Sequence, residues 1–416
     1  MERVVVIGGG PGGCAAALVA AKQPVEVVLL ERADTLSGLS TWCGQMMGWG
    51  PRQEAKLMGG GDNYGVWESL EMDRKSDFGV PDGNITWDVT KIEDASQRAM
   101  AEAGVKVMLR ARAVDVVMTG SKVEAVVLAD GTKITGDAFV DATGSCGSIE
   151  MCQQYGQGCG LCVLKCPMYG DRVSITAKAG VPDVPGQPGY IHSNLIDLQS
   201  LSPQLRRQVE ETSGGYCYLP VPEELYRVDM TEDWPRPETA FMTRWHHEEI
   251  EIINVHFAKT HLVMPLKYIH RIPGFEDAWM ITPQVSTGEP ISSKQPAPHD
   301  NTLLVKGLDN IFAGGLRAGA YSSGQPAMFT GELAGHNAAR KSLGRELLEL
   351  PLTTIQGFFI AKVNKSKTPT EWPPHQKPDV VFEQNGFTVR RVTDYQRIKE
   401  SIVDAGLVDV YQRKLA

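Results

Sequence analysis

The sequence predicts an α/β fold, and three stretches carry the prediction. The N-terminal "RVVVIGGGPGGCAAALVAA" reads as a buried strand, a glycine turn and a helix of small residues. "VEVVLLE" follows as a second apolar strand and ends at Glu31. Late in the chain, "GLDNIFAGGLRAGAYSSGQPAMFTGELAGHNAARKSL" repeats the order strand, glycine-rich bend, long helix. Strands alternating with helices are the mark of a parallel sheet.

Each element has its own reason. Gly8, Gly10 and Gly13 form G-x-G-x-x-G directly after the first strand. Gly8 permits a tight turn, Gly10 lets the backbone approach a pyrophosphate, and Gly13 lets the helix pack close to the strand. The helix N-terminus then offers N–H groups and a positive dipole end to phosphates. Glu31 stands eighteen residues beyond Gly13, where a carboxylate suits ribose hydroxyls. Gly8, Gly10, Pro11, Gly12, Gly13, Glu31 and Arg32 are therefore the candidate residues for a dinucleotide cofactor. After a helical stretch from Asp94, "VKVMLRARAVDVVM" and "KVEAVVLADGTKITGDAFVDATGSCG" read as strands, with a hairpin turn at Asp130–Gly131, ending at "DATG".

Composition bounds the rest. The 416 residues suffice for two or three domains. A formal charge of −9 argues against a broad nucleic-acid surface. Val4 to Ala21 carries no charge over eighteen residues, but its glycines would break a membrane helix, and Arg3 alone is too little for a signal peptide. No membrane association and a cytoplasmic location are expected, where thiols stay reduced and clustered cysteines bind metal rather than form disulfides.

The three segments, over residues 1–145 and 260–342, resemble the FAD-contacting parts of the glutathione-reductase-type flavoproteins. "HRIPGFEDAWMITPQ" and "NIFAGGLRAGAYSSGQPAMFTGELAGHNAAR" are similar to the branch of FAD-dependent tRNA-modifying enzymes, the MnmG and TrmFO proteins. The resemblance implies a Rossmann-like FAD-binding domain with an inserted α+β substrate domain. It places the Thr143–Gly144 turn by the cofactor, and Asp309, Gly314 and Gly315 on the pyrophosphate side. It also brings the loop "SGLSTWCGQMMGWG", with its lone Cys43, close to the flavin ring. Cys43 is a candidate redox or nucleophilic thiol, or a small residue packed under the flavin. No second G-x-G-x-x-G lies between residues 170 and 300, so a separate NAD(P)H domain is not visible. Cys14 and Cys217 read as structural.

"MCQQYGQGCGLCVLKCPMYG" holds four of the eight cysteines within fifteen residues. Cys159-x2-Cys162-x3-Cys166-Pro167 reproduces the later part of a ferredoxin pattern, and Cys152 can supply a fourth thiolate, with Cys146 as the spare. The Cys-Pro and the surrounding glycines favour a [4Fe–4S] cluster over zinc, and both over four buried structural cysteines. Cys152 comes eight residues after Gly144, a reach of about 28 Å at most, so the cluster belongs near the cofactor.

Four regions are expected. Residues 1–145 and 260–345 form the FAD-binding domain, 146–170 the cluster loop, 171–259 the substrate domain, and 346–416 a linker and small tail. "EIEIINVHFA" alternates like one strand, with His256 as a half-buried core residue. His246 and His247 beside Glu248 and Glu249 fit no standard metal spacing, and Arg244 and Arg271 are candidates for an anionic substrate. In the tail, Asn385–Gly386 signals a hairpin and "DYQRIKESIVDAGL" a helix capped by Gly406.

The expected function is an FAD-dependent oxidoreductase with one [4Fe–4S] cluster. It would act on a small molecule over the flavin, in the cleft with the substrate domain, with a ferredoxin-like carrier as electron partner. Two other readings stand beside it. One is folate- and FAD-dependent RNA modification, and the other a non-catalytic electron-transfer subunit of a larger complex.

Overall fold

The structure is a computed structural model. It describes residues 1–38, 45–46, 51–70, 85–144, 173–184, 193–211, 216–220, 222, 249–253, 257–260, 269–285, 296–319, 324–365 and 392–415. The chain opens with β1 (Arg3–Ile7), α1 (Pro11–Ala20) and β2 (Glu26–Leu30). Then come β3 (Gln45–Met46), α2 (Pro51–Leu57), α3 (Asp62–Glu68), β4 (Ile85–Thr86) and α4 (Ile92–Glu102). Five strands follow: β5 (Lys106–Met108), β6 (Ala113–Thr119), β7 (Lys122–Leu128), β8 (Lys133–Thr135) and β9 (Ala138–Asp141). The middle of the chain carries α5 (Ile175–Lys178), β10 (Ser193–Asp197), α6 (Pro203–Glu211), β11 (Tyr216–Pro220), β12 (Glu249–Ile253), β13 (Phe257–Thr260) and β14 (Met280–Val285). It closes with β15 (Ile311–Ala313), α7 (Gly324–Ser342), α8 (Ile355–Lys365) and α9 (Val392–Asp404).

The expected mixed α/β, Rossmann-like architecture is present. A parallel sheet runs in the order β15-β9-β1-β2-β5. Its central strands are apolar between their ends, and Val4, Val5 and Val6 of β1 have no solvent exposure. The chain leaves β1 toward β2 on one side and returns to β9 on the other. The order therefore reverses between β1 and β9, and in such sheets ligands bind beyond the carboxyl ends of the strands at that reversal.

The helices α1 and α7 cross at backbone distance. A Cβ built on Gly331 would stand 2.0 Å from the Gly12 carbonyl oxygen, and one on Gly335 would stand 2.1 Å from that of Ala16. Only glycine on α7 allows this approach. Beneath α1, Trp67 and Trp87 stack with ring centroids 4.5 Å apart, in a core shared with Ala15, Tyr64 and Met328. The predicted turn at Asp130–Gly131 joins β7 to β8, with Thr132 N–H donating to Asp130 Oδ1 (2.9 Å) and Gly131 at φ +88°.

Two compact units are present, and their boundaries differ from the expected ones. The first comprises Met1–Cys146, Arg172–Gln187 and Lys294–Ala416, and the second Gly147–Asp171 and Pro188–Ser293. Residues 260–293 join the second because β14 pairs with β10 in a β13-β10-β14 sheet, beside a β11-β12 ribbon. The tail joins the first through hydrogen bonds. Asp409 N–H and Tyr411 N–H donate to the carbonyls of Leu57 and Met58 (both 3.0 Å), and Gln23 Nε2 donates to the Tyr411 carbonyl (3.0 Å). Gly406, at φ +67°, closes α9 as expected. "EIEIINVHFA" holds two strands, β12 and β13, rather than one. His246, His247, His256, Arg244 and Asn385–Gly386 lie outside the described residues.

Candidate cofactor site

The glycine turn is built by contacts on three sides. Gly8 N–H donates to the Leu30 carbonyl (2.7 Å) at the end of β2. Gly8 has φ +106°, and a Cβ there would lie 2.3 Å from the Ala142 carbonyl oxygen. A Cβ on Gly13 would lie 1.7 Å from the Gly8 carbonyl oxygen, which is the close helix–strand packing expected of it. Gly12 lies against Gly315, since a Cβ there would come within 2.5 Å of the Gly315 Cα.

Gly10 differs from its neighbours. It is the N-cap of α1, in extended conformation, with nothing among the described residues within 4 Å of where a Cβ would point. Pro11 occupies the first turn, no side chain caps the helix, and the first turn holds no acidic residue. Uncapped N–H groups at the positive end of a helix, facing open space, are what a pyrophosphate requires.

Glu31 is buried and organises the turn from beside it. Its Oε2 accepts from Gly9 N–H (2.6 Å) and its Oε1 from Ala33 N–H (2.7 Å). A carboxylate can accept about four hydrogen bonds, so these two donors do not exhaust it. Arg32 is half-buried just past β2. Glu31→Gln turns an N–H-bearing amide toward one of these donors. It is expected to weaken FAD binding roughly tenfold or more, as read by flavin fluorescence titration; unchanged affinity would remove Glu31 from the site.

The Thr143–Gly144 turn abuts Gly8, whose Cβ position lies 3.1 Å from Thr143 N. Thr143 N–H and Oγ1 both donate to Asp141 Oδ1 (3.1 and 2.7 Å). Gly144 has φ +81°. Gly314 N–H donates to the Asp141 carbonyl (3.0 Å), which brings the bend after β15 to the same place. Asp309 corrects the expectation. It is exposed, two residues before β15, and accepts from Ser121 Oγ (2.6 Å) at the β6–β7 turn. The whole of β15 separates it from Gly314, so it stands at the opposite end of the sheet from the pyrophosphate side.

Sequence reasoning missed a buried ion cluster behind this site. Arg317 and Asp141 have no exposure, and Arg317 Nε donates to Asp141 Oδ2 (3.2 Å). Arg317 Nη2 donates to Thr176 Oγ1 (2.6 Å), Ser174 Oγ (3.1 Å) and Asp183 Oδ1. Burial pushes the guanidinium down, and Asp141 and Asp183 more than offset it, so Arg317 sits above its ordinary value. A lone arginine in the small-residue run "AGGLRAGA" was the available signal, since such a run is buried and its charge must be paired. Asn63 was also missed: its Nδ2 donates to the Pro11 carbonyl (3.3 Å) at the start of α1.

Cys14 is structural, as expected. It is buried on α1, its Sγ donates to the Gly9 carbonyl (3.2 Å), and burial pushes its thiol up to about 12. Cys43, Cys152, Cys159, Cys162 and Cys166 lie outside the described residues. Among the described residues no group of three His, Cys, Asp or Glu side chains is placed to hold a metal. Nor is any helix there long and apolar enough to cross a membrane.

A parallel sheet whose order reverses at an uncapped, glycine-lined helix N-terminus defines a dinucleotide-binding protein of Rossmann type. Residues 3–152 match the family described as FAD dependent oxidoreductase. The matched stretch holds the glycine turn, Glu31 and the Thr143–Gly144 turn. A dihydrolipoyl dehydrogenase of Chlorobaculum parvum is 31% identical over 151 residues, 34% of this chain and 30% of that protein. The chain thus spans under a third of the length of that curated relative. Two crystal forms of Aquifex aeolicus GidA share the fold. One aligns with a TM-score of 0.65 at 16% identity, over 99% of this chain and 74% of that one. The other gives 0.58 at 15%, over 96% and 78%.

Proposed function

We propose that the protein is an FAD-dependent oxidoreductase carrying one [4Fe–4S] cluster on Cys152, Cys159, Cys162 and Cys166, and acting on a small molecule. A ferredoxin-like carrier would be its electron partner. The observation that carries the reading is the position of Asp141. Its Oδ1 holds Thr143, just before the chain departs toward the cysteine run, and its Oδ2 accepts from Thr176 N–H (3.3 Å), just after the chain returns. Both stems are thus tied beside Gly8 and the cofactor turn. FAD supplies one- and two-electron chemistry and a cluster supplies single electrons, so together they couple a one-electron carrier to a two-electron substrate. The chain's part is to hold the pyrophosphate at α1 and the ribose at Glu31.

Protein isolated without air is expected to contain flavin and about four iron atoms per chain. Cys162→Ala should lose the iron and its broad absorbance while keeping the flavin. Zinc in place of iron, or full iron in the variant, would overturn the cluster assignment.

A second reading, RNA modification, is supported by the likeness of fold to GidA and by the resemblance to the MnmG and TrmFO branch. The net charge of −9 weighs against it. A salt-sensitive shift of tRNA on a gel would favour it over the first.

A further inference from the structure

A second buried polar cluster lies where α2, α7, α8 and the C-terminal segment pack together. Glu332 and His336 stand one turn apart on α7, both fully buried. Glu54 of α2, Gln356 of α8 and Tyr411 are buried with them. The His336 and Tyr411 rings meet edge to face, with centroids 5.1 Å apart. Burial pushes the Tyr411 phenol well above its ordinary value, and the nearby Glu332 and Glu54 push it in the same direction.

Part of the cluster is satisfied. Glu332 Oε1 accepts from Gly61 N–H (2.6 Å). Glu54 accepts from the N–H groups of Ile355 (2.8 Å) and Gln356 (2.9 Å), at the start of α8. His336 Nε2 accepts from Arg340 Nε (2.9 Å). The rest is not: among the described residues, Glu332 Oε2, His336 Nδ1, the Tyr411 hydroxyl and both side-chain amide atoms of Gln356 have no protein hydrogen-bond partner. Folded proteins rarely leave even one such buried atom unpaired, because its lost hydration is not replaced.

The chemistry of these atoms selects the occupant. Arg340 donates to His336 Nε2, so the neutral ring carries its proton on Nδ1 and Nδ1–H is a donor. Gln356 offers one donor and one acceptor group, and the Tyr411 hydroxyl is both. A cation would need acceptors alone and an anion donors alone. Water matches the mixture.

We propose that Glu332, His336, Gln356 and Tyr411 line a buried water site, in which ordered water bridges these atoms and the Glu332 carboxyl is held in its protonated form. Burial pushes Glu332 up to about 8, with Asp62 of α3 raising it further and Lys22, just past α1, lowering it. Burial likewise pushes Glu54 up to about 7, and burial, followed by Arg340, pushes His336 down to about 3. At neutral pH Glu332 is therefore mostly protonated beside a neutral imidazole and a neutral phenol, while Glu54 is in the middle of its titration. A carboxyl whose folded value is raised contributes stability that is complete below the unfolded value, near 4.5, and is lost as pH rises through about 8.

Two measurements on the full chain test this. A high-resolution crystal structure should show water peaks within hydrogen-bonding distance of Glu332 Oε2, Tyr411 Oη, His336 Nδ1 and Gln356. A site that exchanges rubidium, seen by anomalous scattering, overturns the proposal. So do side chains that pair directly with one another. In parallel, Glu332→Gln keeps the shape and removes the titration. Between pH 6 and 8 the unfolding constant of the unmodified protein should rise on the order of tenfold or more relative to Glu332→Gln. If the two change in parallel, the carboxyl is not the protonated member. Should Glu332→Gln fail to fold, Tyr411→Phe provides the check, since it should remove one water peak and leave the others.

Discussion

Gly13→Ala is expected to lose the cofactor and much of the fold's stability together. The new Cβ would sit 1.7 Å from the Gly8 carbonyl oxygen and 2.9 Å from its carbon, and both are backbone atoms. Gly8 cannot retreat. Its N–H is bound to Leu30, and the Ala142 carbonyl lies where its own Cβ would be. Helix α1 would have to lift off β1, which also opens its contact with Gly331. Overpacking of this kind costs about 1–3 kcal/mol, and more where only backbone can yield. Gly10→Ala is the matched control, with φ −71° open to any residue and nothing among the described residues within 4 Å of the new Cβ. Its thermal midpoint should stay close to that of the parent, while its methyl group stands where a pyrophosphate must approach and flavin content falls. Calorimetry and flavin absorbance on the pair separate the two effects. Equal midpoints for both variants would contradict the geometry.

Arg317→Met should destabilise the protein by about 3–5 kcal/mol, because it leaves two aspartates without their cation in a buried place. Asp141 has no exposure and Asp183 little. The sign of the pH dependence follows. A buried cation matters less once its partner acids are protonated, so the deficit should shrink as pH falls. Denaturant melts at several pH values read this directly. Removing the charges as well, with Asp141→Asn and Asp183→Asn in the Arg317→Met background, should recover part of the loss. A deficit that does not change with pH would mean the guanidinium acts by packing alone.

The parts of this site that were legible in the sequence are those made by backbone. A glycine turn between an apolar strand and a small-residue helix allows few arrangements, so Gly8, Gly10, Gly13 and Glu31 could be assigned before any coordinates. Asp309 was misplaced because a position two residues before a strand and one just after it look alike until the strand's limits are known. Arg317, Asp141 and Asp183 were missed because their pairing spans 176 and 134 residues and obeys no local period. The grouping of the chain into two compact units is hidden from the sequence for a similar reason. The pairing of β14 with β10, not composition, decides where residues 269–285 belong.

The contact of Gly12 and Ala16 with Gly331 and Gly335 bears on how the protein is made in the cell. The wall of the nucleotide cradle comes from the far end of the chain, so a nascent polypeptide still short of α7 has the turn but not the support behind it. Cofactor loading therefore belongs after translation has passed that helix. Truncated products would expose an incomplete sheet to proteases rather than accumulate as half-loaded flavoprotein.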